Sequence, residues 1–279
     1  MKFLLLITLI FNSVICLSSD KIVLIPGAFS SGDQLYLNKL TPFLGPIKQK
    51  SYFKHLKIAL ESNGYDVIVC PKKKSQDMID INQRARDCRR YLSFLLLKNP
   101  SNRFHLFGHS MGGLVARKMI ESYPLSLFIK TVTTISTPHR GSFLANFVID
   151  KLDKNESMGK FLKLVEITPE KKKYIKQLMT INGENVYANA LKNPRKIPVY
   201  SISNFKKNYY NTALAVTQSL IPETNDGVIE TSSMKFGIHL GQIKADHMET
   251  ICLMYTKKSS GCKSSLKVIL KHYSDLKKI

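Results

Sequence analysis

Arg103-Phe104-His105-Leu106-Phe107-Gly108-His109-Ser110-Met111-Gly112-Gly113-Leu114 is the stretch on which the reading of this chain turns. Arg103 to Phe107 has the apolar character of a strand, and Met111 to Ser122 has a helical pattern that ends before Pro124. Between them, Gly108-His109-Ser110-Met111-Gly112 puts a serine on the turn from strand to helix. A serine alcohol attacks well when a sharp turn holds it out of the sheet, and flanking glycines let backbone pack where a side chain would collide. The helix that starts after Ser110 points its free N–H groups and positive dipole end toward a developing oxyanion. Ser110 is therefore the candidate nucleophile, and His109, inside the turn, is expected to pack structurally.

Outward from this turn the pattern alternates. Ile22 to Ile25 is a β-branched apolar run halted by Pro26-Gly27, and Tyr65 to Cys70 repeats it before Pro71. Between them Ser51 to Ser62 carries Phe53, Leu56, Ala59 and Leu60 at helical spacing, closed by Asn63-Gly64. From Asp77 to Leu97, Met78, Ile81, Ala85, Cys88, Tyr91, Leu92 and Leu95 form one face of a long amphipathic helix, with Arg and Asp expected on the other. Thr131 to Ser136 and Ile197 to Ser203 read as further strands. Strands alternating with helices predict an α/β fold with a mostly parallel central sheet and helices on both faces. Residues 142 to 196 break the rhythm with a Lys/Asn-rich stretch holding short amphipathic pieces, Phe161 to Val165 and Tyr174 to Met179, which reads as a helical, lid-like insertion.

A nucleophilic serine needs a base and the base needs an orienting acid, which in such a fold follow in the order Ser, Asp or Glu, His. Downstream, Asp226 lies in the turn sequence Thr224-Asn225-Asp226-Gly227-Val228, and His247 lies just before a helical pattern from Thr250 to Thr256. His239, between Gly237 and Gly241, is the rival base, and Glu230 the second choice of acid. Asp246 is too near His247 in sequence to orient it easily from a different loop. His55, His105 and His272 are assigned no role. The amides of Ala28, after Pro26-Gly27, and of Met111 are the candidate oxyanion donors.

The 279 residues, 44% hydrophobic, provide for one large domain, residues 19–279. Met1-Lys2 followed by an apolar run from Phe3 to Leu17 has the form of a signal peptide, residues 1–18, with Cys16 and Ser18 at minus three and minus one of a cut before Ser19. Lipid anchoring through Cys16 would want a small residue where Ile15 stands. The run is shorter than the roughly 20 residues that span a bilayer, so a secreted or periplasmic protein is expected. Cys70, Cys88, Cys252 and Cys262 remain; Cys252 with Cys262 is the favoured disulfide, and buried thiols are the alternative. The net charge of +22 favours anionic surfaces. Its lysines, as in Lys72-Lys73-Lys74 and Lys171-Lys172-Lys173, follow no nucleic-acid motif and read as solvated basic surface.

Three separated blocks give a resemblance: Gly108 to Leu114, then Ser136-Thr137-Pro138-His139-Arg140-Gly141-Ser142, then Asn225-Asp226-Gly227-Val228 with His247-Met248-Glu249. In these the chain resembles the bacterial triacylglycerol lipases of the Pseudomonas and Burkholderia type, within the α/β-hydrolase superfamily. The resemblance implies Ser110 as nucleophile, Asp226 as acid, His247 as base and the amides of Ala28 and Met111 as oxyanion donors; no cofactor is expected. It departs in two places. Pro26 stands where the family has histidine, and Glu249 stands where it has a calcium-binding aspartate, with no aspartate between Asp153 and Asp226; no metal site is expected. The expectation is an exported, monomeric serine hydrolase of carboxylic esters, a lipase on acylglycerols, touching anionic lipid surfaces and no nucleic acid. The alternatives are a short-chain carboxylesterase, a phospholipase, or a silent relative of the same fold that binds a surface.

Overall fold

Strand β1 (Asp20–Ile25) shows why this chain builds a sheet covered on both sides. Val23 and Ile25 point into one core and Ile22 and Leu24 into another, all buried. A strand apolar on both faces belongs in a parallel sheet sandwiched by helices. The computed structural model describes residues 20–28, 30–31, 34–35, 51–70, 80–154, 169–207, 212–253 and 259–278. The expected signal segment 1–18 and the piece Phe161 to Val165 lie outside them.

A short antiparallel pair, β2 (Ser30–Ser31) and β3 (Gln34–Leu35), follows β1. The main sheet adds β4 (Asp66–Val69), β5 (Arg103–His109), β6 (Ile129–Ile135), β7 (Val199–Phe205) and β8 (Ile238–Lys244) to β1. Its order is β4-β1-β5-β6-β7-β8, and every neighbouring pair is parallel. On the Val23 face pack α2 (Ile81–Lys98) and α3 (Met111–Ile120), with α4 (Phe143–Asp153), α5 (Pro169–Lys176) and α6 (Val186–Asn189) from the insertion. On the Ile22 face pack α1 (Lys54–Glu61) and α8 (Ser260–Leu276). The remaining helix, α7 (Thr212–Leu220), precedes the loop that carries Asp226. The expected parallel α/β architecture is therefore present.

Several local expectations change. Arg84 lies on the buried face of α2 with Ile81, Ala85 and Cys88, not among the solvated arginines. The α2 start is set by Asp80, whose Oδ1 accepts from the Gln83 amide at 2.8 Å and satisfies one of the unpaired first-turn donors. Of the helical pattern expected from Thr250 to Thr256, residues 254–256 lie outside the described residues; the chain makes a 3-10 turn (Glu249–Ile251) followed by Cys252 with φ 58°. There Cys252 is bonded to Cys262 in the first turn of α8, and Cys70 after β4 is bonded to Cys88 of α2. Among the described residues, α7, α8, β8 and the short pair β2 and β3 have no counterpart in the sequence reading. β8 is an edge strand of which only Ile243 is fully buried, so it shows little alternation.

Candidate active site

Ser110 occupies the turn between β5 and α3 with φ 56° and ψ −133°, a conformation that L residues adopt only when the surroundings enforce it. Its amide donates to Ile135 O at 3.0 Å, and its carbonyl accepts from Gly113 N and from Thr137 Oγ1, both at 3.0 Å. Glycine is needed where backbones cross: a Cβ on Gly112 would lie 2.1 Å from Ile25 O. A Cβ on Gly27 would lie 2.7 Å from the Ser110 Cβ, so the loop after β1 rests directly on the serine.

That loop is pinned from beneath. Arg84, 2% exposed, donates from Nη1 to Gly27 O at 2.7 Å and from Nη2 to Ser30 Oγ at 3.1 Å. Burial lowers the Arg84 pKa to about 10, so the guanidinium stays charged at neutral pH. The Gly27 amide is taken by the Tyr52 hydroxyl at 3.1 Å, which leaves Ala28 as the next amide of the loop. Met111 opens α3, and the first amides of a helix have no partner within it.

Asp226 and His247 meet, fully and almost fully buried. His247 Nδ1 lies 2.8 Å from Asp226 Oδ2, and the His247 amide donates to Asp226 O at 3.0 Å. The carboxylate is further fixed by the amides of Val228 and Ile229 on Oδ1, at 3.0 and 2.8 Å, and by Asn204 Nδ2 on Oδ2 at 2.9 Å. In the tautomer that directs Nδ1–H at the carboxylate, Nε2 is an acceptor. The His247 ring centroid is 4.7 Å from that of His109, the residue before Ser110.

The rivals are used elsewhere. His239 lies on β8 with its ring nitrogens 3.3 Å from the Ser201 and Ser203 hydroxyls. Glu230 Oε1 accepts from the Phe143 amide at the start of α4 at 2.6 Å, and burial raises its pKa. Asp246 Oδ1 accepts from the Met248 and Glu249 amides and shapes the loop on either side of His247. His139, in the second block, is a packing residue: Nε2 meets Thr134 Oγ1 at 3.0 Å, Nδ1 meets Arg117 Nη1 at 3.2 Å, and the Arg117 guanidinium lies 3.9 Å over Phe236.

Glu249 was the position where the resemblance would place a calcium ligand, and its surroundings do not fit one. The Lys206 ammonium is 2.8 Å from Glu249 Oε2 and 3.5 Å from Asp246 Oδ2, while Ser259 Oγ donates to Glu249 Oε1 at 2.7 Å. An ammonium supplied by the chain already lies against both of these buried carboxylates. Sequence reasoning missed Lys206, Asn204, Tyr52 and Arg84. Of these only Arg84 carried a signal, a charged residue at apolar-face spacing in a helix.

Comparison with known proteins places the chain by family and by fold. A family model described as palmitoyl protein thioesterase matches residues 22–219. Triacylglycerol lipase 2 of Saccharomyces cerevisiae is 27% identical over 261 residues, 83% of this chain and 76% of that protein. A triacylglycerol lipase of Burkholderia plantarii is 35% identical over 101 residues, 36% of this chain and 28% of its own length, which is too little to fix that narrower type. The solved structure of a metagenomic carboxyl esterase shares the fold, with a TM-score of 0.60 at 17% identity, covering 94% of this chain and 77% of the other. The family match spans well over half of the chain, and the protein belongs to the palmitoyl protein thioesterase family, with the α/β-hydrolase fold.

Proposed function

We propose that this protein is an exported serine hydrolase that cleaves carboxylic esters of acyl chains, acylglycerols first among them. The bond between His247 Nδ1 and Asp226 Oδ2 at 2.8 Å carries this reading, because it fixes the tautomer a general base requires. His247 Nε2 takes the Ser110 proton as Oγ attacks the ester carbonyl, and the amides of Ala28 and Met111 hold the oxyanion. The leaving alcohol departs with the proton from His247, and water, activated by the same imidazole, releases the acid from the acyl-enzyme. Export rests on the charged start and apolar run of residues 1–18, and attraction to anionic lipid surfaces on the net charge of +22.

A second reading, hydrolysis of acyl thioesters, is favoured by the description of the matching family. The chemistry differs only in the leaving group, a thiol in place of an alcohol. Purified protein and its Ser110→Ala variant, assayed on emulsified triacylglycerol, a short-chain ester, phospholipid and a palmitoyl thioester, test both. Turnover that is highest on triacylglycerol and lost in Ser110→Ala is expected; preference for the thioester selects the second reading. Equal rates for wild type and variant overturn the serine mechanism.

A further inference from the structure

His109 is fully buried, and each of its ring nitrogens has a partner from a different segment of the chain. Nδ1 lies 2.6 Å from the Tyr52 hydroxyl, and Nε2 lies 3.0 Å from the main-chain oxygen of His247. A carbonyl oxygen only accepts, so Nε2 carries a proton and donates it. Burial, and then the neighbouring His247, hold His109 well below the usual histidine range, so the ring is neutral and Nδ1 accepts. The Tyr52 hydroxyl therefore donates to Nδ1, while its oxygen accepts from the Gly27 amide at 3.1 Å. The direction is fixed throughout: Gly27 N–H to Tyr52, Tyr52 O–H to His109, His109 Nε2–H to the His247 carbonyl. The second lone pair of that carbonyl accepts from Thr250 Oγ1 at 2.8 Å.

We propose that Tyr52 and His109 are positioning residues, a neutral relay that ties the oxyanion loop and the base loop to the turn bearing Ser110. The inference rests on the reading of Ser110 and His247 as nucleophile and base. Its physical content is that three segments far apart in sequence share one buried hydrogen-bonded path, so that the base is referenced to the nucleophile's own neighbour. Packing alone would need only the volume of the imidazole. The relay needs an acceptor facing Tyr52 and a donor facing His247.

These demands separate under substitution. His109→Gln keeps an amide oxygen and an amide N–H at about the spacing of the ring nitrogens, whereas His109→Leu keeps bulk and neither function. His109→Leu is expected to lower kcat on a chromogenic ester by about 10- to 100-fold, as a misplaced catalytic group does, with KM changed by less than about threefold. His109→Gln recovers most of the lost kcat, and Tyr52→Phe shows a smaller loss of the same kind. Thermal melting of each variant reports folding. Unchanged kcat in folded His109→Leu, or a His109→Gln as impaired as His109→Leu, overturns the relay. Should His109→Leu not fold, Tyr52→Phe decides: lower kcat at unchanged KM supports the relay and wild-type kcat removes it. Wild-type protein that neither turns over ester nor takes a fluorophosphonate on Ser110 brings down the serine-hydrolase reading and the relay together. Wild type that does both while the variants match it brings down the relay alone.

Discussion

On one side of the candidate site, Ser110 and the loop at Gly27 are placed by close backbone approach, with Arg84 holding the loop from beneath; on the other, Asp226 and His247 are held by polar side chains from distant segments, with a short disulfide-closed loop after them. Gly112 lets α3 approach Ile25 O, and Gly27 lets its loop rest on the Ser110 Cβ. The opposite side depends on Lys206 between Asp246 and Glu249, on Asn204 holding Asp226, and on the Cys252–Cys262 bond after the His247 loop. The first side is fixed by backbones crossing at van der Waals distance and tolerates little change in shape. The second is fixed by electrostatic balance in a buried place and tolerates little change in charge.

The largest expected effect probes the second side directly. Asp226→Asn keeps the shape but offers an amide to His247 Nδ1, so the tautomer is no longer fixed; kcat/KM on a chromogenic ester falls by about 10⁴-fold. A loss under tenfold would mean that the acid side does not act in the reaction.

Removal of the Lys206 charge acts next, on stability. Lys206→Met leaves the carboxylates of Asp246 and Glu249 buried without their ammonium and costs about 3 kcal/mol in urea unfolding. Lys271→Met, at an exposed i,i+4 pair with Asp275, leaves the urea midpoint nearly unchanged. Equal effects for the two would mean that burial lends the Lys206 contacts no special weight.

The smallest effect is a pH dependence of the first side. His109 is held below its ordinary value of 6.5, so between those two values the unfolded chain binds the proton and the native protein does not. The contribution is present above about pH 6.5 and is lost as pH falls below it. The urea midpoint should drop from about pH 7.5 to about pH 5.5, and less so in His109→Gln. Equal drops in both proteins would place the acid sensitivity in other groups, such as His139 and His105, which burial also holds low.

What could be read from the sequence follows the same division. Gly108 to Gly112 announces its own conformation, because strand, turn and helix are adjacent and the glycines mark the crossings. β1, β4, β6 and β7 were legible as apolar runs, since a parallel sheet covered on both sides needs them. Asp226 and His247 were legible by order along the chain, and their meeting is a matter of coordinates. Lys206 looked like one lysine among many, and nothing local marks Asn204 or Tyr52, because their partners lie 22 to 57 positions away. α8 was overlooked although Leu266, Ile269 and Tyr273 follow helical spacing on its inner side.

The most direct test of the whole arrangement is covalent. Protein treated with a fluorophosphonate and mapped by peptide mass spectrometry should carry a single adduct, on Ser110, with His247→Ala labelled far more slowly. An adduct on another residue, or His247→Ala labelled at the wild-type rate, would contradict the convergence of Ser110, Asp226 and His247 on one reaction centre.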